Sequence, residues 1–338
     1  MFSIIVAAHN QLGHNQLFLQ CIKKYTTPPY EVIVIDNHST DGSAEFFASQ
    51  GCQVIRNQQN LCYPESMNLG IQSSKGTWCC LINNDICVGP KWNEHLMVAM
   101  DRHRLDACSP MGLERMPTPS LTEWMYNRWS NIGKGRLSSG KGLDQLERMI
   151  SQMYGNWEEL CKEMYYVFHH HLYEGIIGAC VLVRRSLLDK IGLLDEQIQA
   201  SDWDLYLTIR KREMECGDVR RCMIVGGVYI HHFIRATLKG KPAQFSCLHP
   251  RKSIDDKWDF EIKKQLWFDP REIGIPTDVL QPSWKVKLHR LSQKFSNKIS
   301  GMYRRYLGDL SSTSDPQKIL ALYREKLSEL ANISNSGS

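Results

Sequence analysis

The stretch "GTWCCLINNDICVGPKW", residues 76 to 92, runs a short apolar segment directly into Asn83, Asn84 and Asp85. A carboxylate there is suited to a divalent cation that bridges it to a diphosphate, because magnesium or manganese takes few protein oxygens and leaves positions for substrate phosphates. A lone Asp in a loop is more often a turn or cap residue. What distinguishes Asp85 is its company. "VIDNHSTDGS" puts Asp36 directly after another apolar run, where it is suited to hydrogen-bond a base or ribose. The same stretch carries Asp41-Gly42-Ser43, which reads as a turn followed by a helix N-cap. No GxxxxGK[ST] and no GxGxxG follows the first apolar run, so neither an ATPase nor a nicotinamide enzyme is expected.

The elements that must position these residues alternate regularly. "FSIIVAA", "YEVIVID", "GCQVIRN" and "TWCCLIN" read as strands, and "NQLFLQCIKKY", "SAEFFASQ" and "PESMNLGIQSS" between them carry helical spacing. That rhythm predicts an α/β fold, Rossmann-like, with a mostly parallel central sheet covered by helices on both faces. Ligands in such sheets bind beyond the carboxyl ends of the strands. "AAHNQ", "DNHSTDGS" and "NND" all lie there.

Between about 111 and 171 the alternation gives way to an insertion, in which Leu143, Leu146, Ile150, Met153, Trp157, Leu160 and Met164 form one helical stripe. The stripe is expected either to pack on the sheet or to form a lid or acceptor-side wall. "IIGACVLVRR" resumes as a strand, "SLLDKIG" and "SDWDLYLTIRKRE" as helices, and "CMIVGGVYIHHF" as β-rich sequence. The domain therefore spans 1–240. A C-terminal extension, 241–338, carries two helices, the first at about 283 to 307 with a basic face. Such a helix can contact an anionic membrane surface, dock on its own protein or build a homodimer.

A formal net charge of +5 is too small to argue for nucleic-acid binding. Twelve cysteines without a CxxC pair or zinc-like spacing read as reduced thiols of a cytosolic chain. "MFSIIVAAHN" has too short an apolar run, without a basic leader, for a signal peptide or a membrane span. The expected location is cytoplasmic, or peripheral at the inner face of the membrane.

"SIIVAAHNQ", "VIVIDNHSTDGS", "NLCYPESMNLGIQSSKG", "CLINND", "GACVLVRRSLLDKIGLLDE" and "SDWDLYLTIR" follow one another over residues 1 to 235. Together they resemble glycosyltransferase family 2, the inverting nucleotide-sugar transferases with the GT-A fold. The resemblance implies a hexosyltransferase that uses Mn2+ or Mg2+ and a UDP-, GDP- or dTDP-sugar, with a glycan, lipid-linked or protein acceptor. "NND" stands where the family carries its Asp-x-Asp variant. Asp85 would then ligate the metal and Asn83 would approach the ribose or diphosphate. Asp36 would read the donor's base, Ala7 and His9 would line the same pocket, and Asn68 would join the donor-binding set. The family's Glu-Asp-x-Asp-Leu pattern appears with Ser201 in place of Glu, which makes Asp202 the expected catalytic base and Asp204 a structural carboxylate at a helix start. His231 and His232 lie where relatives place a metal-binding His. Neighbours on a strand face opposite ways, so only one can reach the metal, and His232 is the expected one. The run His169-His170-His171 diverges in the same manner and reads as structural. Two other classes remain: a catalytically inactive GT-A module that binds a glycan or protein, favoured by the loss of Glu at 201 and of the first Asp of the metal motif but disfavoured by the retained Asp36, Asp85, Asp202 and strand-end His, and a sugar-nucleotide pyrophosphorylase, disfavoured by the missing Gly-rich basic N-terminal loop.

Overall fold

The computed structural model describes residues 1–133, 142–234, 245–266 and 315–335. The first elements are β1 (Phe2–Ala8), α1 (Leu12–Tyr25), β2 (Tyr30–Asn37), α2 (Ser43–Ser49), β3 (Gln53–Asn57), α3 (Tyr63–Ser73) and β4 (Trp78–Asn83). Their strands pair in parallel, β2 with β1 and β3, and β1 with β4. Side chains alternate across the sheet. Ile4, Val6, Cys80 and Ile82 enter one core, and Ile5, Cys79 and Leu81 enter the other. Apolar residues therefore follow one another without the polar alternation of a half-exposed strand.

The chain continues with β5 (Ile86–Cys87), α4 (Trp92–His103), β6 (Ala107–Met111), α5 (Pro119–Gly133), α6 (Leu143–Tyr154), α7 (Trp157–Phe168), β7 (Leu172–Glu174), β8 (Cys180–Arg184), α8 (Arg185–Ile191), α9 (Ser201–Cys216), β9 (Met223–Tyr229) and β10 (His231–His232). The main sheet has the order β3-β2-β1-β4-β8-β6-β9-β7. Strand β8 is antiparallel to β4 and β6, and β7 is antiparallel to β9. The sheet is thus mostly parallel. Strands β5 and β10 form a separate antiparallel ribbon.

The apolar stripe of the insertion is carried by two helices rather than one. Gly155, at φ 71°, ends α6, and the Asn156 side chain accepts the Glu159 N–H at 3.2 Å to start α7. Periodicity does not register this break, because Leu146, Met153, Leu160 and Met164 are buried on both sides of it. Helix α7 packs on β9 and α6 packs on α1.

Three further helices are described: α10 (Ile254–Lys257), α11 (Phe260–Leu266) and α12 (Pro316–Asn335). The basic helix expected at about 283 to 307 lies outside the described residues. Ile319, Leu320, Tyr323 and Leu327 of α12 are buried against α6 and α7, and the Tyr323 hydroxyl donates to the Met153 carbonyl at 3.0 Å. Ile254, Trp258 and Leu266 join the second core. Among the described residues no helix is long and apolar enough to cross a membrane.

The thiols correct the sequence reading. Cys62 and Cys247, 185 positions apart, form a disulfide, while the other ten are free. Local spacing could not reveal this pair. Its members meet because the segment from 245 to 252 crosses the start of α3, with the Ser246 N–H donating to the Asn60 carbonyl at 2.8 Å and the Leu248 N–H to Glu65 at 2.6 Å.

Candidate active site

Parallel pairing carries three loops to one edge of the sheet. Ala8 is in register with Asp36, and Ala7 with Asn83. Hydrogen bonds then join the loops laterally. The His9 Nδ1–H donates to the Asn37 carbonyl at 2.6 Å, the Thr40 N–H to Asn10 Oδ1 at 2.7 Å, and the Asn84 amide to Asn15 Oδ1 at 2.7 Å. Asp41 is spent on structure: it accepts from the Leu12 N–H at 2.9 Å and from the Ser43 hydroxyl at 2.6 Å.

Asp36 is 3% exposed. One carboxylate oxygen accepts the Ser39 N–H at 3.3 Å, and the other is buried with no hydrogen-bond partner among the described residues. A buried acceptor left in this state is costly, at about 1–3 kcal/mol, and a ligand N–H or O–H would satisfy it. Asn68 is placed differently. Its amide donates to the Leu194 carbonyl at 2.9 Å and to Glu196 at 3.0 Å, and its oxygen accepts the Leu194 N–H at 3.0 Å, so its hydrogen bonds clamp α3 to the loop before α9.

Asp85 leads into β5, whose Ile86 pairs with His232, and the Phe233 N–H donates to the Asp85 carbonyl at 3.1 Å. The ribbon thereby holds the Asp85 Oδ1 at 3.3 Å from the His232 Nε2. His232 Nδ1 bonds the Glu114 carboxylate. Burial alone would push the Asp85 carboxyl up, but the His232 charge overrides it and holds the group below its ordinary value. Burial likewise opposes a charged His232, and the Asp85 and Glu114 carboxylates outweigh it, raising the imidazole well above its usual range. His231 faces the core instead, where burial pushes its pKa well down, its Nδ1 meets the Tyr154 hydroxyl at 2.6 Å and its ring packs on Trp129 and Phe233. The His169 Nδ1–H donates to the Tyr165 carbonyl at 3.0 Å, finishing α7.

The Asp85 and His232 pair could hold a divalent cation once the proton on His232 Nε2 is displaced. Ligand bonds of about 2.1 Å in an octahedral shell set neighbouring donors about 3 Å apart, close to the separation seen here. Among the described residues no three His, Cys, Asp or Glu side chains group to hold a metal ion. Two protein donors would leave several positions for phosphate oxygens and water.

Asp202 stands in the first turn of α9. The residue keeps some solvent access, but its carboxyl is closely packed: a Cβ built on Gly178 would come within 2.0 Å of Asp202 Oδ2. Burial pushes its pKa up to about 6, against the pull of the Trp203 and Asp202 backbone N–H groups. Burial also raises the neighbouring Tyr63 phenol, and the Asp202 charge adds to it. Asp204 is held by the Trp258 indole N–H at 2.7 Å and the Lys257 ammonium at 3.0 Å. Glu114, Gly178, Tyr63 and Lys257 gave no signal in the sequence, because each is an ordinary residue of a loop or helix end until the fold brings its partner to it.

Among known proteins, an uncharacterized glycosyltransferase of Haemophilus influenzae is 31% identical over 104 residues, which are 30% of this chain and 35% of that protein. Similar solved structures include the mannosyltransferase PcManGT from Pyrobaculum calidifontis in complex with GDP-Man and Mn2+, at 16% identity, 69% coverage of this chain, 56% of that one and a TM-score of 0.45. GalNAc-T7 with UDP, GalNAc and Mn2+ is similar at 14% identity, with coverages of 69% and 43% and a TM-score of 0.46. The chain thus spans about a third of the Haemophilus relative and about half of each of these two structures. The model of glycosyl transferase family 2 matches residues 3–192, more than half of the 338 positions, and the chain belongs to that family.

Proposed function

We propose that this protein is an inverting, metal-dependent glycosyltransferase that moves a hexose from a nucleoside-diphosphate donor to a hydroxyl of a glycan, lipid-linked or protein acceptor. The observation that carries this reading is the division of environments among three carboxylates. Asp36 is buried with one oxygen unpartnered among the described residues, Asp85 is held low facing His232, and Asp202 is pushed up to about 6. Asp36 takes a hydrogen bond from the base or ribose, with Ala7, His9 and Asn83 around it. Asp85 and His232 would hold Mn2+ or Mg2+, which when bound would neutralise charge on the departing diphosphate. Asp202 takes the proton of the acceptor hydroxyl as its oxygen bonds to the anomeric carbon and the carbon–oxygen bond to the diphosphate breaks. A carboxyl near 6 is a stronger base than an ordinary aspartate and is still ionised at neutral pH. A single displacement inverts the anomeric centre.

Calorimetry of UDP and GDP with and without Mn2+ tests the division of labour. Asp85→Ala should abolish the metal-dependent part of the affinity, and Asp36→Ala should weaken binding even without metal. Identical behaviour of the two variants would defeat the assignment. A panel of nucleotide sugars scored for metal-dependent donor hydrolysis tests the activity itself, and binding without any turnover would favour a non-catalytic glycan- or protein-binding module.

A further inference from the structure

The Asp85 and His232 backbones are fixed by the β5–β10 ribbon, but the imidazole keeps two freedoms. It can swing about its side-chain torsions, and in its neutral form it can carry the proton on either nitrogen. Glu114 acts on both. Its carboxylate bonds Nδ1, while Nε2 faces Asp85. A carboxylate on Nδ1 retains the proton there, so that the lone pair of the neutral ring sits on Nε2.

Glu114 is itself held in place. The turn after β6 closes with the Arg115 N–H donating to the Gly112 carbonyl at 3.1 Å, and the Ile230 N–H ties the same turn to the lead-in of β10 through the Met111 carbonyl at 3.0 Å. A Cβ built on Gly112 would lie 2.9 Å from Glu114 Oε2, so the glycine leaves room for this carboxylate. Glu114 remains a third exposed at its side chain, which an incidental surface acid would also be. Its approach to a nearly buried ring sets it apart.

We propose that Glu114 is a positioning residue that orients His232 and sets its tautomer, presenting Nε2 to a divalent cation shared with Asp85. This rests on the metal-site reading above. The test is a double-variant cycle on the full chain, titrating Mn2+ alone and following the electron paramagnetic resonance signal of the unbound ion. Glu114→Ala should weaken Mn2+ binding about 10- to 100-fold. Glu114→Gln should fall between, since its amide oxygen still accepts the Nδ1–H without the charge. In a His232→Ala background Glu114→Ala should have no further effect, because its route to the metal is gone. Melting temperatures separate a merely structural role, which would lower stability and leave Mn2+ affinity unchanged. Unchanged affinity in Glu114→Ala alongside a loss in His232→Ala would overturn this proposal and spare the site. A full additional loss in the His232→Ala background would make Glu114 a direct ligand and overturn it as well. Wild-type affinity in both Asp85→Ala and His232→Ala would remove the metal site and this inference with it.

Discussion

Asp202 is pushed up to about 6 by burial, and this sets an expected pH dependence. Below that value the carboxyl is protonated and cannot take the acceptor's proton, so transfer should rise through pH 6 and level off above about 7. Asp202→Asn should lower transfer about 10²–10⁴-fold with donor affinity retained. The same shift has a stability consequence of opposite sign. A carboxyl whose folded pKa is raised favours the fold at low pH, and that contribution is lost as pH rises from its ordinary range through about 6. At pH 8 the Asn variant, with no charge to bury, should melt at or above the wild-type temperature, its stability gain being at most about 3 kcal/mol. A less stable Asn variant, or one with full activity, would count against the role. Gly178 supplies an independent check. Its Ala variant places a methyl 2.0 Å from Asp202 Oδ2, too close for both to stay, so transfer should fall at least tenfold and its pH midpoint should move while nucleotide affinity holds; an unchanged midpoint would separate Gly178 from the base.

Helix α9 assigns its two acids by geometry. Residues two apart on a helix point about 200° apart, so Asp202 faces Gly178 while Asp204 faces Lys257 and Trp258. Asp204→Asn removes the charge facing Lys257, which keeps Asp195 at 2.9 Å, and weakens the acceptor of the Trp258 indole, so it should cost roughly 1–2 kcal/mol, read as a lower melting temperature with the rate per folded molecule within a few-fold of wild type. A dead but stable Asp204→Asn would move the base to that position. That both acids of "SDWDLYLTIR" stand at a helix start was legible, because periodicity and helix-start chemistry are local. The partners were not. Lys257, Trp258 and Glu114 reach their targets across more than fifty positions, and Gly178 matters only through an atom it lacks. The four N-terminal strands and their polar ends were legible for the converse reason: period, turn residues and strand ends all lie within one short window. The break between α6 and α7 is not legible in the pattern, because Gly155 interrupts the helix without interrupting the apolar stripe.

For the molecule as a whole, the two cores draw on distant parts of the chain. Tyr323 of α12 is fully buried, packs edge-on against Trp124 and bonds the last turn of α6. Tyr323→Ala should destabilise the fold by about 3–5 kcal/mol, and chemical denaturation should report a loss shared by the sheet rather than confined to α12; a local unfolding of α12 alone would mean that the core closes without it. The same arrangement bears on how the chain is made. A ribosome delivers β1 to β4 early, yet the apolar flanks of α6 and α7 meet Ile319, Leu320 and Tyr323 only after roughly another 150 positions have been translated. During that interval the flanks of α6 and α7 lack their cover, so the half-made protein is a client for chaperones that hold apolar helices, and a slow stretch of translation before α12 would lengthen its exposure to aggregation.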